Sequence, residues 1–219
     1  GIDFMSASRE QMHILSDGLA REGYEAYLPT TITASAEDVL KALSNLPKHP
    51  LVAGFHLEGP FINPKRPGAQ PPSSIETPPL GASDWDQVLR HPQLKVVTLA
   101  PEQPNALELA ASLMSRGVHV SMGHSDATYE QARRGYEFGA HGVTHMFNAM
   151  SPFHHREVGL IGYALWNDDL YTEVIYDRKH VSFEAVQLLL KCKPANRVVA
   201  VSDGTLAIGQ APGTKVDMW

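Results

Sequence analysis

The sequence predicts an α/β fold built around a parallel (β/α)8 barrel. Two observations support this prediction: short β-branched runs alternate with amphipathic helical patterns along the 219 residues, and polar residues follow nearly every predicted strand. Such alternation is typical of parallel strands joined by right-handed helical crossovers. The alternative is an open doubly wound sheet. Such a sheet needs polar site residues only at its switch point, whereas here they follow nearly every predicted strand. Seven strands are predicted, one fewer than a complete barrel has.

The predicted strands are short apolar runs bounded by Gly, Pro or polar residues. They lie at residues 27–32, 51–57, 96–100, 119–122, 143–147 (a strand that continues into a loop), 171–176 and 197–201. We expect the run at 51–57 to be buried. A loop rich in Pro, Gly and Ser follows it at 59–82, and loops of this length inside compact domains are usually functional or disordered.

The predicted helices have apolar residues at helical spacing and polar residues at their first positions. They lie at residues 8–19, 35–46, 85–90, 105–116, 128–139 and 182–191. In the first helix, Met12, Leu15 and Leu19 recur at this spacing. Ser35 is an expected N-cap, and Thr128 opens a capping box because a glutamine follows three residues later.

Composition and charge exclude several classes of function. The net charge of -6 and the pI near 6.0 give no basic surface for a nucleic acid. The single cysteine, Cys192, excludes an internal disulfide and fits a reducing compartment. Since no apolar run approaches the ~18 residues of a membrane span and no signal peptide opens the chain, we expect a cytoplasmic protein that does not enter a membrane.

Four residues with metal or acid–base chemistry each follow an apolar run. They are Glu58, His124, His145 and Asp203. Because residues past the ends of parallel strands converge on one rim, we expect these four to meet. Each has a structural alternative, such as capping a helix or closing a turn. Together, two imidazoles and a carboxylate fit a divalent metal, with zinc the first choice and iron, cobalt or manganese also compatible, and Asp203 fits the catalytic base.

Two further residues are candidate anion binders. Arg156 lies in a loop after the strand at 143–147, and a guanidinium suits phosphate. His180 follows the strand at 171–176, a position that can face a substrate. The alternative for both residues is an ordinary solvated surface charge.

Four motifs together resemble the N-acetylglucosamine-6-phosphate deacetylases of the amidohydrolase superfamily. They are His56-Leu-Glu-Gly-Pro-Phe-Ile-Asn-Pro-Lys-Arg-Pro-Gly-Ala, Gly123-His-Ser, Val143-Thr-His-Met-Phe-Asn-Ala-Met and Val201-Ser-Asp. The resemblance runs from about residue 3 to the end of the chain. It implies a TIM-type barrel, a phosphorylated N-acetyl amino sugar as substrate, and hydrolysis of the N-acetyl amide to glucosamine 6-phosphate and acetate.

The resemblance also implies roles for individual residues. Metal ligands would be Glu58, His124 and His145, with Asp203 as the catalytic acid and base. Substrate-binding positions would be Gln70, Asn148, Ala149, Arg156 and His180. A homodimer is expected, since in dimeric relatives one phosphate contact can come from the neighbouring subunit. Two alternatives remain: a deacetylase of another N-acetyl amino-sugar phosphate, such as the galactosamine analogue, and a non-catalytic binder of a metal or sugar phosphate.

The sequence departs from the family pattern in three respects. Gln70 replaces a histidine expected to contact the reacting carbonyl, so lower activity or a different substrate is expected. The segment Asp177-Arg-Lys-His180 replaces Asp-Gly-x-His, and its two cations can change how the substrate is held. We interpret residues 1–219 as one catalytic barrel domain, incomplete at both ends, that lacks the first strand and the flanking β-sandwich, and we expect the natural protein to be longer.

Overall fold

The computed structural model describes residues 1–211 and 213–216, and these contain a six-stranded, fully parallel sheet. Its strands follow one another in sheet order exactly as in sequence, without reversal. They are β1 (Phe55–Glu58), β2 (Leu94–Leu99), β3 (His119–Met122), β4 (Ala140–Val143), β5 (Tyr171–Ile175) and β6 (Val198–Val201). A doubly wound sheet reverses its strand order at a switch point, so this arrangement favours a partial TIM-type barrel over the open-sheet alternative.

Helices occupy every crossover between consecutive strands and also precede the sheet. They are α1 (Arg9–Arg21), α2 (Ala36–Ser44), α3 (Asp86–Leu89), α4 (Ala106–Met114), α5 (Tyr129–Glu137), α6 (Gly159–Trp166) and α7 (Phe183–Cys192). Short 3-10 turns lie at Pro72–Ser74 and Ala195–Arg197. In the described part of the chain, no helix has both the length and the apolarity to cross a bilayer.

The predicted capping residues do begin their helices. Ser35 accepts a hydrogen bond from Asp38 N, and Thr128 forms a complete capping box with Gln131. These contacts satisfy backbone N–H groups that the first turn of a helix leaves without a partner. The predictions for these two helix starts are confirmed.

The predicted strand at 27–32 is wrong as a regular strand. Its residues run parallel to the β1 side of the sheet but form only isolated bridges, Tyr27 with Val52 and Thr30 with His56. Pro29 lies between them and has no N–H to donate, although its carbonyl accepts from His56 N at 3.0 Å. The segment therefore borders the sheet without completing a seventh strand.

The predicted strand at 143–147 is displaced in the structure. The strand is β4, which ends at Val143, and the chain then turns with positive φ at His145, Phe147 and Ala149. The apolar residues that suggested a strand belong to this turn, and Met146 is buried there. His145 therefore lies in a loop beyond the strand end, as predicted from its place after an apolar run.

Helix α6 was not predicted from the sequence. Six of its eight residues are buried, from Gly159 through Ala164, so the helix has no polar face. Sequence periodicity detects helices by the contrast between a buried face and a solvent face. A helix buried on most sides gives no such contrast, which explains the omission.

Candidate metal centre

Glu58 is the last residue of β1 and its side chain is buried. Its backbone N–H donates to Thr31 Oγ1 at 3.2 Å. Gly59 follows with φ +72, a conformation that turns the chain sharply and that residues with a side chain rarely adopt. The strand end therefore fixes the Glu58 carboxylate on the rim of the sheet.

Three polar atoms converge at this rim. Glu58 Oε1 lies 3.1 Å from His124 Nε2 and 3.7 Å from His145 Nε2. The two imidazole nitrogens are 3.1 Å apart. All three residues are buried, and their potential ligand atoms lie within 4.8 Å of one another. Of the four residues predicted to meet, Glu58, His124 and His145 do so.

The ring of His124 is oriented by a backbone carbonyl. His124 lies just beyond β3 with φ +48, and its Nδ1 is 3.1 Å from Arg66 O. Since a carbonyl oxygen can only accept, Nδ1 must carry the proton. Nε2 then faces Glu58 and His145, and this is the arrangement that metal-binding histidines usually have.

The charges at the rim are strongly coupled. Burial opposes ionisation of Glu58, but hydrogen bonds from His124 and His145 outweigh it and hold the pKa of Glu58 well below its usual range. Burial also opposes protonation of His145, but the hydrogen bond to Glu58 raises the pKa of His145 to about 9. A carboxylate and two imidazoles are the donor set of a divalent metal site that leaves positions open, and a bound metal would displace the protons held in these hydrogen bonds.

Asp203 follows β6 and has a left-handed backbone conformation with φ +45. Partial desolvation raises the pKa of this carboxyl, and the negative charge of Glu58 raises it further. The histidines at 124, 145 and 180 oppose that rise. Asp203 therefore lies within electrostatic reach of the three candidate ligands without belonging to their cluster.

Gln70 is buried and spans two elements of the site. Its Nε2 donates to Glu58 Oε1 at 2.7 Å, and its Oε1 accepts from Thr33 N at 2.7 Å. The side chain thus ties the long loop after β1 to the segment beside that strand. It contacts the carboxylate of the candidate metal ligand Glu58 directly.

Asn148 and Ala149 lie in the turn that follows His145. Asn148 Nδ2 donates to the carbonyls of His145 and Met146, at 3.1 and 3.3 Å. Ala149 has φ +49, and its carbonyl accepts from Ser125 N at 3.1 Å. Both residues are half-buried next to the cluster, and their contact with a sugar stays a prediction.

The two candidate anion binders are exposed. Arg156 lies in a turn closed by His154 and Glu157, and its Nη1 is 3.0 Å from His155 Nε2. His180 Nδ1 is 2.7 Å from Asp177 Oδ2. The carboxylate of Asp177 also accepts from backbone N–H groups, and these contacts lower its pKa to about 2. Substrate binding by Arg156 and His180 stays a prediction.

Sequence reasoning missed Glu173, a glutamate within β5. Its Oε2 lies 3.4 Å from His145 N, and burial raises the pKa of this carboxyl to about 7. A charged residue inside the otherwise apolar run at 171–176 was the available signal. Glu173 places a second carboxyl group beside the candidate ligand His145.

Comparisons with known proteins point to one group of enzymes. The chain is 37% identical to the N-acetylglucosamine-6-phosphate deacetylase of Lysinibacillus sphaericus over 97% of its own length and 57% of that relative. It is 35% identical to the N-acetylgalactosamine-6-phosphate deacetylase of Escherichia coli O157:H7, over 97% of this chain and 58% of that one.

A solved structure shares the fold. It is a mutant N-acetyl-D-glucosamine-6-phosphate deacetylase of Mycobacterium smegmatis in complex with N-acetyl-D-glucosamine-6-phosphate, and it superposes with a TM-score of 0.88 at 30% identity. The match covers 95% of this chain and 55% of that chain. The sequence thus spans a little over half the length of the relatives it matches. No protein-family model matches it.

Proposed function

Over 97% of its length the chain is homologous to the N-acetylglucosamine-6-phosphate deacetylases, and from that premise we propose that it carries the active site of a metal-dependent deacetylase. The reaction would be hydrolysis of the N-acetyl amide of N-acetyl-D-glucosamine 6-phosphate, which yields glucosamine 6-phosphate and acetate. The observation that carries this proposal is the buried cluster of Glu58, His124 and His145 on the rim of a parallel sheet.

The donor set of this cluster fits a divalent metal. Glu58 would supply a carboxylate oxygen, and His124 and His145 would each supply Nε2. When bound, a metal there would polarise the amide carbonyl and lower the pKa of water. We propose zinc, although the same ligands suit iron, cobalt or manganese.

Asp203 would move the proton in this reaction. Its raised pKa lies closer to neutrality than that of a solvated aspartate, which suits a group that must both accept and release a proton. Asp203 would accept the proton of the attacking water and then donate it to the departing amine. The amine must be protonated to leave, since an amide anion is a very poor leaving group.

The remaining predicted residues would hold the substrate. Asn148 and Ala149 lie in the turn after His145 and would face the sugar. Arg156 would bind the 6-phosphate, for which a planar guanidinium is suited, and His180 would contribute a further polar contact. We infer a homodimer and a cytoplasmic location from the same resemblance, and one barrel domain to which residues 1–219 contribute.

A second candidate is deacetylation of N-acetylgalactosamine 6-phosphate. The 35% identity to the E. coli enzyme of that name is close to the 37% found for the glucosamine relative. Gln70, where the family has histidine, is a difference at the metal-ligand carboxylate that can alter the fit of the substrate. A non-catalytic binder is the third candidate, and the retained Asp203 argues against it.

The test is acetate release by the full-length protein from each of the two sugar phosphates. The proposal predicts turnover that needs metal and a clear preference for the glucosamine substrate. A preference for the galactosamine substrate would support the second candidate. Metal binding without turnover of either sugar would support the non-catalytic alternative.

A further inference from the structure

The carboxylate of Glu102 joins two loops beside the candidate metal centre. Glu102 follows β2 and is half-buried. Its Oε1 accepts from Asn63 Nδ2 at 2.8 Å and from Asp126 N at 2.6 Å. Its Oε2 accepts from Ser125 Oγ at 2.7 Å. Both carboxylate oxygens are therefore committed to the loop after β1 and the loop after β3.

These two loops determine how His124 is held. The loop after β3 carries His124, and the loop after β1 supplies the Arg66 carbonyl that accepts from its Nδ1. A backbone contact also joins them, because Asn63 N donates to the His124 carbonyl at 2.9 Å. A shift of one loop against the other would therefore break the contact that orients the imidazole.

A second link involves the neighbour of Ser125. Arg66 Nε donates to Asp126 Oδ1 at 2.8 Å, and Arg66 Nη2 lies 2.7 Å from the same oxygen. Glu102 thus fixes the backbone of Asp126, and the Asp126 side chain fixes Arg66. Glu102 is therefore linked through Asp126 to Arg66, the residue whose carbonyl contacts His124 Nδ1.

We propose that Glu102 is a positioning residue for metal binding. Its carboxylate holds the two loops at the spacing at which the Arg66 carbonyl keeps the proton on His124 Nδ1 and leaves Nε2 free for the metal. The inference rests on the proposed metal centre. Groups that orient a metal-binding histidine through its other nitrogen typically change metal affinity by about 10- to 100-fold.

The test compares zinc affinity in four variants of the full-length protein, measured by competition with a chromophoric chelator. Glu102→Leu removes all three acceptor contacts, and Glu102→Asp keeps the charge but shortens the reach. We expect both to bind zinc about 10- to 100-fold more weakly than the wild type. Glu102→Gln should stay within about threefold, because its Oε1 can still accept and its Nε2 can donate to the Ser125 hydroxyl. Glu108→Leu, at an exposed glutamate of α4, is the matched control and should bind like the wild type.

Three further readouts separate positioning from general loss of structure. The absorption spectrum of the cobalt(II) form should change in Glu102→Asp. The unfolding midpoint measured by circular dichroism identifies any variant that fails to fold. In Glu102→Asp, the nitrogen NMR signals of the His124 ring should show loss of the form that carries its proton on Nδ1. Wild-type zinc affinity and an unchanged cobalt spectrum in Glu102→Asp would overturn the inference. Absence of zinc binding in the wild type would instead overturn the metal centre itself.

Discussion

The side-chain amide of Gln70 donates to Oε1 of Glu58 at 2.7 Å, while its carbonyl oxygen accepts from Thr33 N at the same distance. Both bonds are buried. The contact fixes which oxygen of the carboxylate faces the two histidines, since Oε1 is also the atom nearest His124 Nε2. Where the resemblance implies a histidine, this chain therefore has a neutral side chain that supports the carboxylate of the candidate metal ligand Glu58.

Replacing Gln70 with alanine should destabilise the protein and loosen Glu58. The change leaves the buried Thr33 N–H without its acceptor, which costs about 1–3 kcal/mol of unfolding free energy. Urea denaturation measures that loss. Gln70→His restores the family residue, and we expect it to retain metal while it changes the ratio of activities on the two sugar phosphates. An Ala variant as stable as the wild type would show that the contact is not formed in solution.

Replacing Asp203 with asparagine should abolish turnover but not metal binding. The amide keeps the shape of the side chain and cannot accept a proton, so kcat should fall by about 10²- to 10⁴-fold. Metal content by atomic emission should match the wild type, because Asp203 lies outside the cluster of candidate ligands. A kcat within tenfold of the wild type would assign the proton transfer to another group.

Replacing Arg178 with glycine should stabilise the protein. Arg178 has φ +62 and is exposed, and the left-handed conformation costs a residue with a side chain about 1–2 kcal/mol. Glycine adopts it without that cost, although it gains entropy in the unfolded chain. We expect the midpoint of thermal unfolding to rise by a few degrees. Lys179→Gly, at the next residue, is the control and should not raise it.

The stability of the protein should fall as the pH drops below about 6.5, partly because of His119. Burial lowers the pKa of His119, and the nearby His141 lowers it further. An unfolded histidine titrates near 6.5, so below that pH the unfolded state binds more protons than the folded state and is favoured. In His119→Gln the decrease in melting temperature between pH 7.5 and 5.5 should be smaller. An equal decrease in both proteins would contradict this assignment.

The sequence was sufficient to predict the metal cluster because the fold itself brings strand ends together. Glu58, His124 and His145 are far apart in sequence, but each lies at or just beyond the carboxyl end of a strand of the same parallel sheet. Alternating strands and helices were enough to place them on one rim. Five of the six regular strands and the capped helices were also predicted, because their patterns are local.

Other features could not be predicted because they depend on tertiary contacts. The Arg66 carbonyl that orients His124 leaves no trace in the sequence, because every residue has a backbone carbonyl that could supply such an oxygen. The bond between Gln70 and Thr33 joins segments 37 residues apart with no motif at either end. The position of β4 was misjudged because the buried turn after it is as apolar as a strand.

The most direct test of the proposed deacetylase is acetate release from N-acetyl-D-glucosamine 6-phosphate by the full-length protein. The protein would be stripped of metal with a chelator and then reloaded with zinc. We expect no release from the stripped protein and recovery of turnover on reloading, because the Glu58, His124 and His145 cluster would hold the ion. Equal turnover by the stripped and reloaded proteins, or none by the reloaded protein with zinc bound, would contradict the proposed function.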